Sequence, residues 1–187
     1  MERIKAIAIE EATGKARELL EGVQKKLGMT PNMMRTMAQS PAVLTAYLNF
    51  SGALGGGSLP GKLREQIALV VGEANGCQYC LSAHSALGQM AGLSQEEILD
   101  SRRGESSESK SRVALRFASK LVTERGRVDD HELAQVRKAG FSDGEIAEIV
   151  ANVALNLFTN YFNHVADPKV DFPAVAPLID QQERQSA

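Results

Sequence analysis

Two cysteines and a histidine near the middle of the chain are the residues whose types and spacing could do chemistry. Cys77 and Cys80 are the only cysteines among the 187 residues, and a random pair would fall three apart only roughly 1% of the time by counting pairs. A disulfide between them would close a loop too short to stabilise a fold appreciably. Chemistry at the two thiols, rather than stabilisation of the fold, is therefore the leading interpretation of this Cys-x-x-Cys motif.

A helix that begins at the motif would bring the histidine to the cysteines. Asn75-Gly76 ends the preceding helical pattern, so we expect Cys77 in the first turn of the next helix. At about 100° per residue, Cys77, Cys80 and His84 fall within one narrow arc. The positive end of a helix favours the thiolate form of nearby cysteines. His84 follows Cys80 by one turn, which predicts proton exchange between them.

A carboxylate is predicted to complete this group. Glu65 lies in line with a helix face that carries no other charge, made of Ala68, Leu69 and Gly72. Such a carboxylate must find a partner or have a raised pKa, and either would suit a proton relay. The same predicted helix has a polar stripe of Lys62, Gln66 and Glu73. We expect that stripe to face solvent.

Start and stop signals divide the chain into helices. Helical periodicity predicts helices over residues 10–27, 31–39, 41–54, 60–75, 77–90, 110–124 and 130–139. Capping boxes open two more, at Ser94 with Glu97 and at Ser142 with Glu145. Thr30-Pro31 and Ser40-Pro41 pair an N-cap residue with a proline at the first helical position.

The remaining segments predict loops and one extended arm. Residues 55–58 form a flexible glycine-rich connector, and residues 102–109 form a polar loop. Only residues 3–9 alternate as a strand would, and a single strand has no partner. The predicted fold class is an all-α helical bundle with an extended N-terminal arm.

Length and composition predict one globular domain over residues 1–187, with 43% hydrophobic and 24% charged residues. The net charge of −2 gives no basic excess, so we expect no nucleic-acid partner. The longest apolar run near the middle, residues 67–71, is far too short to span a membrane, and no signal-peptide pattern opens the chain. A cytoplasmic location without a membrane partner follows as the expectation.

The segment Asn75-Gly76-Cys77-x-x-Cys80-Leu81-x-Ala83-His84, preceded by Glu65, resembles a known active-site signature. It is similar to that of the alkylhydroperoxidase D (AhpD)-like proteins of the carboxymuconolactone decarboxylase superfamily. The resemblance is specific over residues 65–84. It implies an AhpD-like helical bundle that assembles as a trimer or hexamer. Because decarboxylases of the superfamily lack the cysteine pair, it also implies the peroxidase branch.

The resemblance implies a role for each residue of the signature. Cys80 would be the peroxidatic thiolate, Cys77 the resolving thiol, His84 the base that activates Cys80, and Glu65 the remaining member of the proton relay. The best-known members carry a histidine where this chain has Tyr79. A phenol is a poor base near neutral pH. This departure leaves open a weaker turnover of alkyl hydroperoxides or a different oxidant.

The implied reaction needs no metal or other cofactor. The Cys80 thiolate attacks the distal peroxide oxygen and becomes a sulfenic acid, with which Cys77 condenses to a disulfide. An external dithiol then reduces the disulfide by exchange. The implied partners are a hydroperoxide substrate and a lipoyl-type reductant, with thioredoxin-like donors as an alternative.

Two other functions use the same cluster. Cys77, Cys80 and His84 could bind zinc, with Glu65 or His164 as the fourth ligand. The dithiol could also belong to a redox sensor or binding scaffold that oxidises slowly and changes a partner interface.

Two further patterns accompany the motif. The last predicted helix carries an amide stripe that could line a subunit interface or the active-site floor, or face solvent: Asn152, Asn156, Asn160 and Asn163. Methionines at helical spacing predict core filler or the lining of an apolar channel: Met29, Met33, Met34 and Met37. The long apolar last helix predicts a homo-oligomer.

Overall fold

The computed structural model describes residues 2–178, and that range contains nine helices and no strand. The helices are α1 (Gly14–Leu27), α2 (Asn32–Met37), α3 (Pro41–Gly55), α4 (Gly61–Ala74), α5 (Gln78–Met90), α6 (Gln95–Arg102), α7 (Ser109–Thr123), α8 (Asp130–Lys138) and α9 (Asp143–Ala166). None of these helices is long and apolar enough to cross a membrane. The predicted all-α class is confirmed.

Local capping explains where several helices begin. Ser94 and Ser142 form the two predicted capping boxes at the starts of α6 and α9, and Asp129 forms a third with Glu132 at α8. The N-cap prediction for Thr30 is wrong, because Pro31 takes the N-cap position of α2 and the Thr30 hydroxyl donates to the Gln24 side chain.

Ser40 occupies the predicted N-cap position of α3, but its side chain makes no capping hydrogen bond. Pro41 at the first helical position explains why the helix still begins there, since its φ is already helical and its nitrogen has no hydrogen that needs a partner.

Helix α4 is the centre of the bundle and packs against α5, α6, α7 and α9. Its apolar residues divide between two clusters. One joins α4 to α7 and α9 through residues that include Leu63, Ile67, Val70 and Val71, and the other joins Leu69 to Leu81 of α5. A helix buried on several sides loses the clean amphipathic pattern of a surface helix.

The polar stripe of α4 is the main error of the sequence prediction. Lys62 is exposed as expected, but Gln66 is 4% exposed. Glu73 forms an ion pair of 2.7 Å with Arg102 in which the two side chains are 11% and 6% exposed. Arg102 also donates to the Ala176 carbonyl, and the Leu178 amide donates to Glu73. Helix α6 and the C-terminal segment therefore cover a face that was expected to be wet.

The glycine-rich connector between α3 and α4 is held at its end, although its composition predicts flexibility. The Glu148 carboxylate on α9 accepts hydrogen bonds of 2.9 Å from the amides of Ser58 and Leu59. These amides hold the pKa of Glu148 below its ordinary value. A Cβ added at Gly57 would lie 2.6 Å from the carboxylate, so the close approach depends on glycine at this position.

The N-terminal arm is extended, as predicted, and joins helices rather than a strand. The Ile7 amide donates to the Arg35 carbonyl, and the amides of Arg3 and Ile4 donate to the Ala166 carbonyl. These bonds attach the arm to the ends of α2 and α9.

The buried ion pair predicts a large effect on stability. We expect Arg102→Ala to lower the free energy of unfolding by about 3 kcal/mol or more, because the buried Glu73 carboxylate loses its cation. Arg116→Ala is the matched control, since its ion pair with Glu105 is exposed and contributes about 0–1 kcal/mol.

Urea unfolding measures both variants. Equal losses would contradict the structural role given to the Glu73–Arg102 pair.

Candidate active site

The cysteine pair follows a tight turn between α4 and α5. Gly76 has a φ of +62°, and the amides of Gly76 and Cys77 donate to the carbonyls of Glu73 and Gly72. These two bonds form the Schellman arrangement that ends a helix at glycine. Cys77 is consequently the N-cap of α5 rather than part of its first turn, and its sulfur accepts the Cys80 amide at 3.3 Å.

Cys77 and Cys80 are joined by a disulfide, with their Cα atoms 5.3 Å apart. Both residues are buried, at 2% and 3% exposure. Helix α4 passes close behind them, since a Cβ added at Gly72 would lie 3.6 Å from the Cys80 Cβ. The two sulfur atoms therefore belong to the packed interior.

A cavity of about 420 Å³ opens over Cys80 and is shared by most of the predicted site. Cys80, His84 and Glu65 all line it, whereas Cys77 reaches it only through its bond to Cys80. Apolar side chains make up much of the wall, among them Met29, Met33, Met34, Leu54, Leu87 and Phe172. The methionines serve both predicted purposes, because Met33 and Met34 are also buried in the core and Met37 lies wholly within it.

His84 and Glu65 form a hydrogen-bonded pair at the cavity wall. The distance from His84 Nδ1 to Glu65 Oε2 is 2.8 Å, and each side chain is 23% exposed. This bond occupies Nδ1 and leaves Nε2 as the nitrogen available for proton transfer. No hydrogen bond joins His84 to Cys80 in the part of the chain that is described.

Tyr47 on α3 also lines the cavity, and sequence reasoning missed it. Burial and the nearby negative charge of Glu65 raise the pKa of Tyr47 to about 12. Its phenol therefore stays protonated across the physiological range. No motif marks this residue, because its place at the cavity arises only from tertiary packing, in which α3 contacts α1, α2 and α9.

Tyr79 links α5 to the segment that follows α9, residues 167–178. Its hydroxyl donates to Asp171 Oδ1 at 2.8 Å and accepts the Met33 amide at 3.1 Å, and its ring meets Phe172 edge to face. The other oxygen of Asp171 accepts the Asn32 amide. Burial is the main reason that the pKa of Tyr79 lies above its ordinary value. Tyr79 is therefore a structural link and no replacement for a histidine base.

The amide stripe of α9 is buried, with all four members at 5% exposure or less. Asn152, Asn156 and Asn163 line the cavity, which matches the active-site floor among the three placements left open. Asn163 Nδ2 donates to Cys80 Sγ at 3.2 Å and lies 3.4 Å from the Met33 sulfur.

The other amide of the stripe holds the turn before the motif. Asn160 Oδ1 accepts a hydrogen bond of 2.9 Å from Asn75 Nδ2. His164 Nε2 lies 2.9 Å from the Asn75 carbonyl oxygen, so this histidine contacts the turn and not the cysteines. Within residues 2–178 no three His, Cys, Asp or Glu side chains are grouped to hold a metal ion. The geometry thus gives the zinc alternative no support.

Comparison with known proteins agrees with this geometry. The model of the carboxymuconolactone decarboxylase family matches residues 41–120, which include the cysteine pair. No curated protein matches the chain.

Solved structures match nearly the whole chain. A peroxidase-related protein from Silicibacter sp. TM1040 is 27% identical, with a TM-score of 0.76 over 91% of this chain and 94% of that one. A protein from Ralstonia eutropha JMP134, described as an alkylhydroperoxidase AhpD core and peroxidase-related, is 23% identical, with a TM-score of 0.82 over 91% and 92%.

The debrominase Bmp8, in a variant complexed with 2,3,4-tribromopyrrole, is 22% identical, with a TM-score of 0.77 over 97% and 96%. The last two identities establish a common fold alone. Residues 41–120, which carry the cysteine pair, thus match the carboxymuconolactone decarboxylase family, and the chain shares the helical fold of AhpD-like, peroxidase-related proteins.

Proposed function

We propose that the protein is a thiol-dependent hydroperoxide reductase. The observation that carries this proposal is the single cavity that brings one sulfur of a redox pair together with a hydrogen-bonded His–Glu pair. Thiolate attack on a peroxide needs a base for the thiol and an acid for the leaving alkoxide. Cys80, His84 and Glu65 supply these groups.

The reaction balances with these residues and one external reductant. His84 takes the proton of Cys80, and the thiolate attacks the terminal oxygen of the hydroperoxide. The S–O bond forms as the O–O bond breaks, and the alkoxide takes the proton from His84 and leaves as an alcohol. Cys77 then displaces water from the Cys80 sulfenic acid to form the disulfide. An external dithiol is oxidised as it returns the pair to two thiols.

The cavity favours an organic hydroperoxide. Its volume of about 420 Å³ lies within the range of small-molecule sites, and most of its lining is apolar. Because neither sulfur is exposed at the surface, a narrow lipoyl-type arm that enters the cavity suits the site better than a folded thioredoxin-like donor.

Reductive debromination is the second candidate. Two observations favour it, namely the apolar cavity over the Cys80 sulfur and the fold shared with Bmp8. There the dithiol would be oxidised to the disulfide while the carbon–bromine bond is replaced by carbon–hydrogen and bromide and a proton are released. Bromide release from 2,3,4-tribromopyrrole distinguishes this reaction from hydroperoxide reduction.

Cysteine variants test the proposal directly. We expect the reduced protein to lose both thiols after one equivalent of cumene hydroperoxide. Cys77→Ser should accumulate a Cys80 sulfenic acid, seen as a dimedone adduct by mass spectrometry, and Cys80→Ser should consume no peroxide.

Persistence of both thiols in the parent protein, or unaltered turnover in Cys80→Ser, would refute the assignment. A slow single oxidation without turnover in the presence of dihydrolipoamide would instead indicate the redox-sensor alternative.

The assignment of His84 as the base predicts different effects on peroxide reduction for substitutions at two positions of α5. His84→Gln should lower the rate of hydroperoxide reduction by about 100-fold, the usual effect of losing a general base. Tyr79→Phe should leave the pH profile near neutrality in place, because burial keeps the phenol protonated there. Its loss of two hydrogen bonds should lower the free energy of unfolding by about 1–3 kcal/mol.

Peroxide consumption from pH 5 to 9, together with urea unfolding, measures both effects. A changed pH profile in Tyr79→Phe would show that the phenol takes part in proton transfer.

We also propose that the protein associates with copies of itself through α9. Its outer face exposes apolar side chains at helical spacing, namely Val150, Phe158, Tyr161 and Val165. Such a contiguous apolar face is typical of an interface. Sedimentation should show an oligomer that Tyr161→Lys weakens, while Lys138→Ala on α8 should leave it intact. A monomer at all concentrations would contradict this.

A further inference from the structure

Asn163 places its side-chain nitrogen against the reactive sulfur, while its side-chain oxygen has no hydrogen bond in the part of the chain that the structure describes. Asn163 lines the floor of the cavity and is 5% exposed. The nitrogen donates to Cys80 Sγ at 3.2 Å. The oxygen is buried and has no hydrogen-bond partner among residues 2–178. A buried carbonyl oxygen without a partner is uncommon and calls for an explanation.

We propose that Asn163 is a catalytic residue of the hydroperoxide reduction, an inference that rests on the proposed function. Its Nδ2 stabilises the Cys80 thiolate, and its Oδ1 accepts a hydrogen bond from the terminal hydroxyl of the hydroperoxide. One amide thereby holds the attacking sulfur and the oxygen that it attacks.

The donor role follows from how the other donors near Cys80 are used. The Cys80 amide, at the positive end of α5, donates to the Cys77 sulfur. Among the described residues, the Asn163 side-chain amide is the donor to the Cys80 sulfur. Hydrogen bonds to a charged acceptor are stronger than those to a neutral one, so this contact favours the thiolate over the thiol.

The acceptor role follows from the chemistry of the substrate. The terminal oxygen of a hydroperoxide carries the only hydrogen on the peroxide group, and a carbonyl oxygen can only accept. When the S–O bond forms, this hydrogen stays on the transferred oxygen and becomes the sulfenic acid proton. The electron pair of the broken O–O bond goes to the alkoxide, which His84 protonates. Asn163 therefore orients the peroxide without gaining or losing a proton.

Two probes separate the two roles in a Cys77→Ser background, where Cys80 is the only thiol. Methyl methanethiosulfonate reacts with the thiolate but has no hydrogen to donate to Oδ1. Cumene hydroperoxide reacts with the thiolate and has that hydrogen. The rate of each reaction is measured against pH, and the plateau at high pH reports on the fully formed thiolate.

Asn163→Leu removes donor and acceptor at similar volume. We expect the pH of half-maximal methanethiosulfonate reaction to rise by about one unit, because a hydrogen bond to a charged group is lost. On the plateau, this reagent should react at least as fast as with the parent, whereas cumene hydroperoxide should react about 10-fold more slowly.

Asn163→Asp keeps an acceptor oxygen and loses the donor. Its carboxylate should move the half-maximal pH further upward through repulsion, while its plateau rate with cumene hydroperoxide should exceed that of Asn163→Leu. Gln66→Leu is the matched comparison, since that amide is also buried, at 4% exposure, and does not line the cavity. It should not move the half-maximal pH.

The outcomes distinguish the proposal from the function on which it rests. An unmoved half-maximal pH in Asn163→Leu and Asn163→Asp would overturn the donor role, and equal plateau effects on both reagents would overturn the acceptor role. A parent that reacts with methanethiosulfonate but not with cumene hydroperoxide would refute the peroxidase and the acceptor role together. Should Asn163→Leu fail to fold, Asn163→Asp carries the test.

Discussion

The active site depends on the attachment of the α4–α5 turn to helix α9 by buried amides. Asn160 accepts from Asn75 in the turn, His164 contacts the carbonyl of the same residue, and Asn163 donates to the Cys80 sulfur. These three side chains lie within five consecutive residues of one helix. The position of the cysteine pair is therefore fixed by a helix far away in the chain, as well as by the helix that carries it.

A second set of polar contacts joins α4, α5 and α6 to the segment that follows α9. Tyr79 binds Asp171 and the Met33 amide, and the Glu73–Arg102 pair receives the last described residues through main-chain hydrogen bonds. Both contacts place the C-terminal segment across the helices of the motif, and Phe172 from that segment becomes part of the cavity wall. The cavity is thus completed by a residue that follows α9.

The sequence predicts local features of this arrangement well. The Cys-x-x-Cys spacing, the Asn75-Gly76 turn and the capping boxes act within a few residues, so their physical consequences can be worked out from the chain alone. The approach of Glu65 to His84 also follows, because the family signature contains both. The prediction that Glu73 faces solvent is wrong because its partner is distant in the sequence. Its cation, Arg102, lies 29 residues away on a helix whose packing against α4 no periodicity reveals.

The residues that sequence reasoning missed share this dependence on tertiary packing. Tyr47 enters the site because α3 lies beside Glu65, and Phe172 enters because Tyr79 holds the segment that carries it. The amide stripe is an intermediate case. Its spacing shows that Asn160 and Asn163 share a face, but only the packed structure assigns one to the turn and the other to the sulfur.

A neutral amide beside Cys80 suits a sulfur that must pass through several charge states. The proposed cycle takes it from thiolate to neutral sulfenic acid to disulfide, all within a residue that is 3% exposed. A lysine or arginine at position 163 would stabilise the thiolate more strongly, but it would remain as an unpaired buried charge after oxidation, at a cost of several kcal/mol. An amide can donate to the thiolate and accept from the sulfenic acid without such a penalty. The disulfide state fits this view, because the Asn163 amide donates to the Cys80 sulfur there.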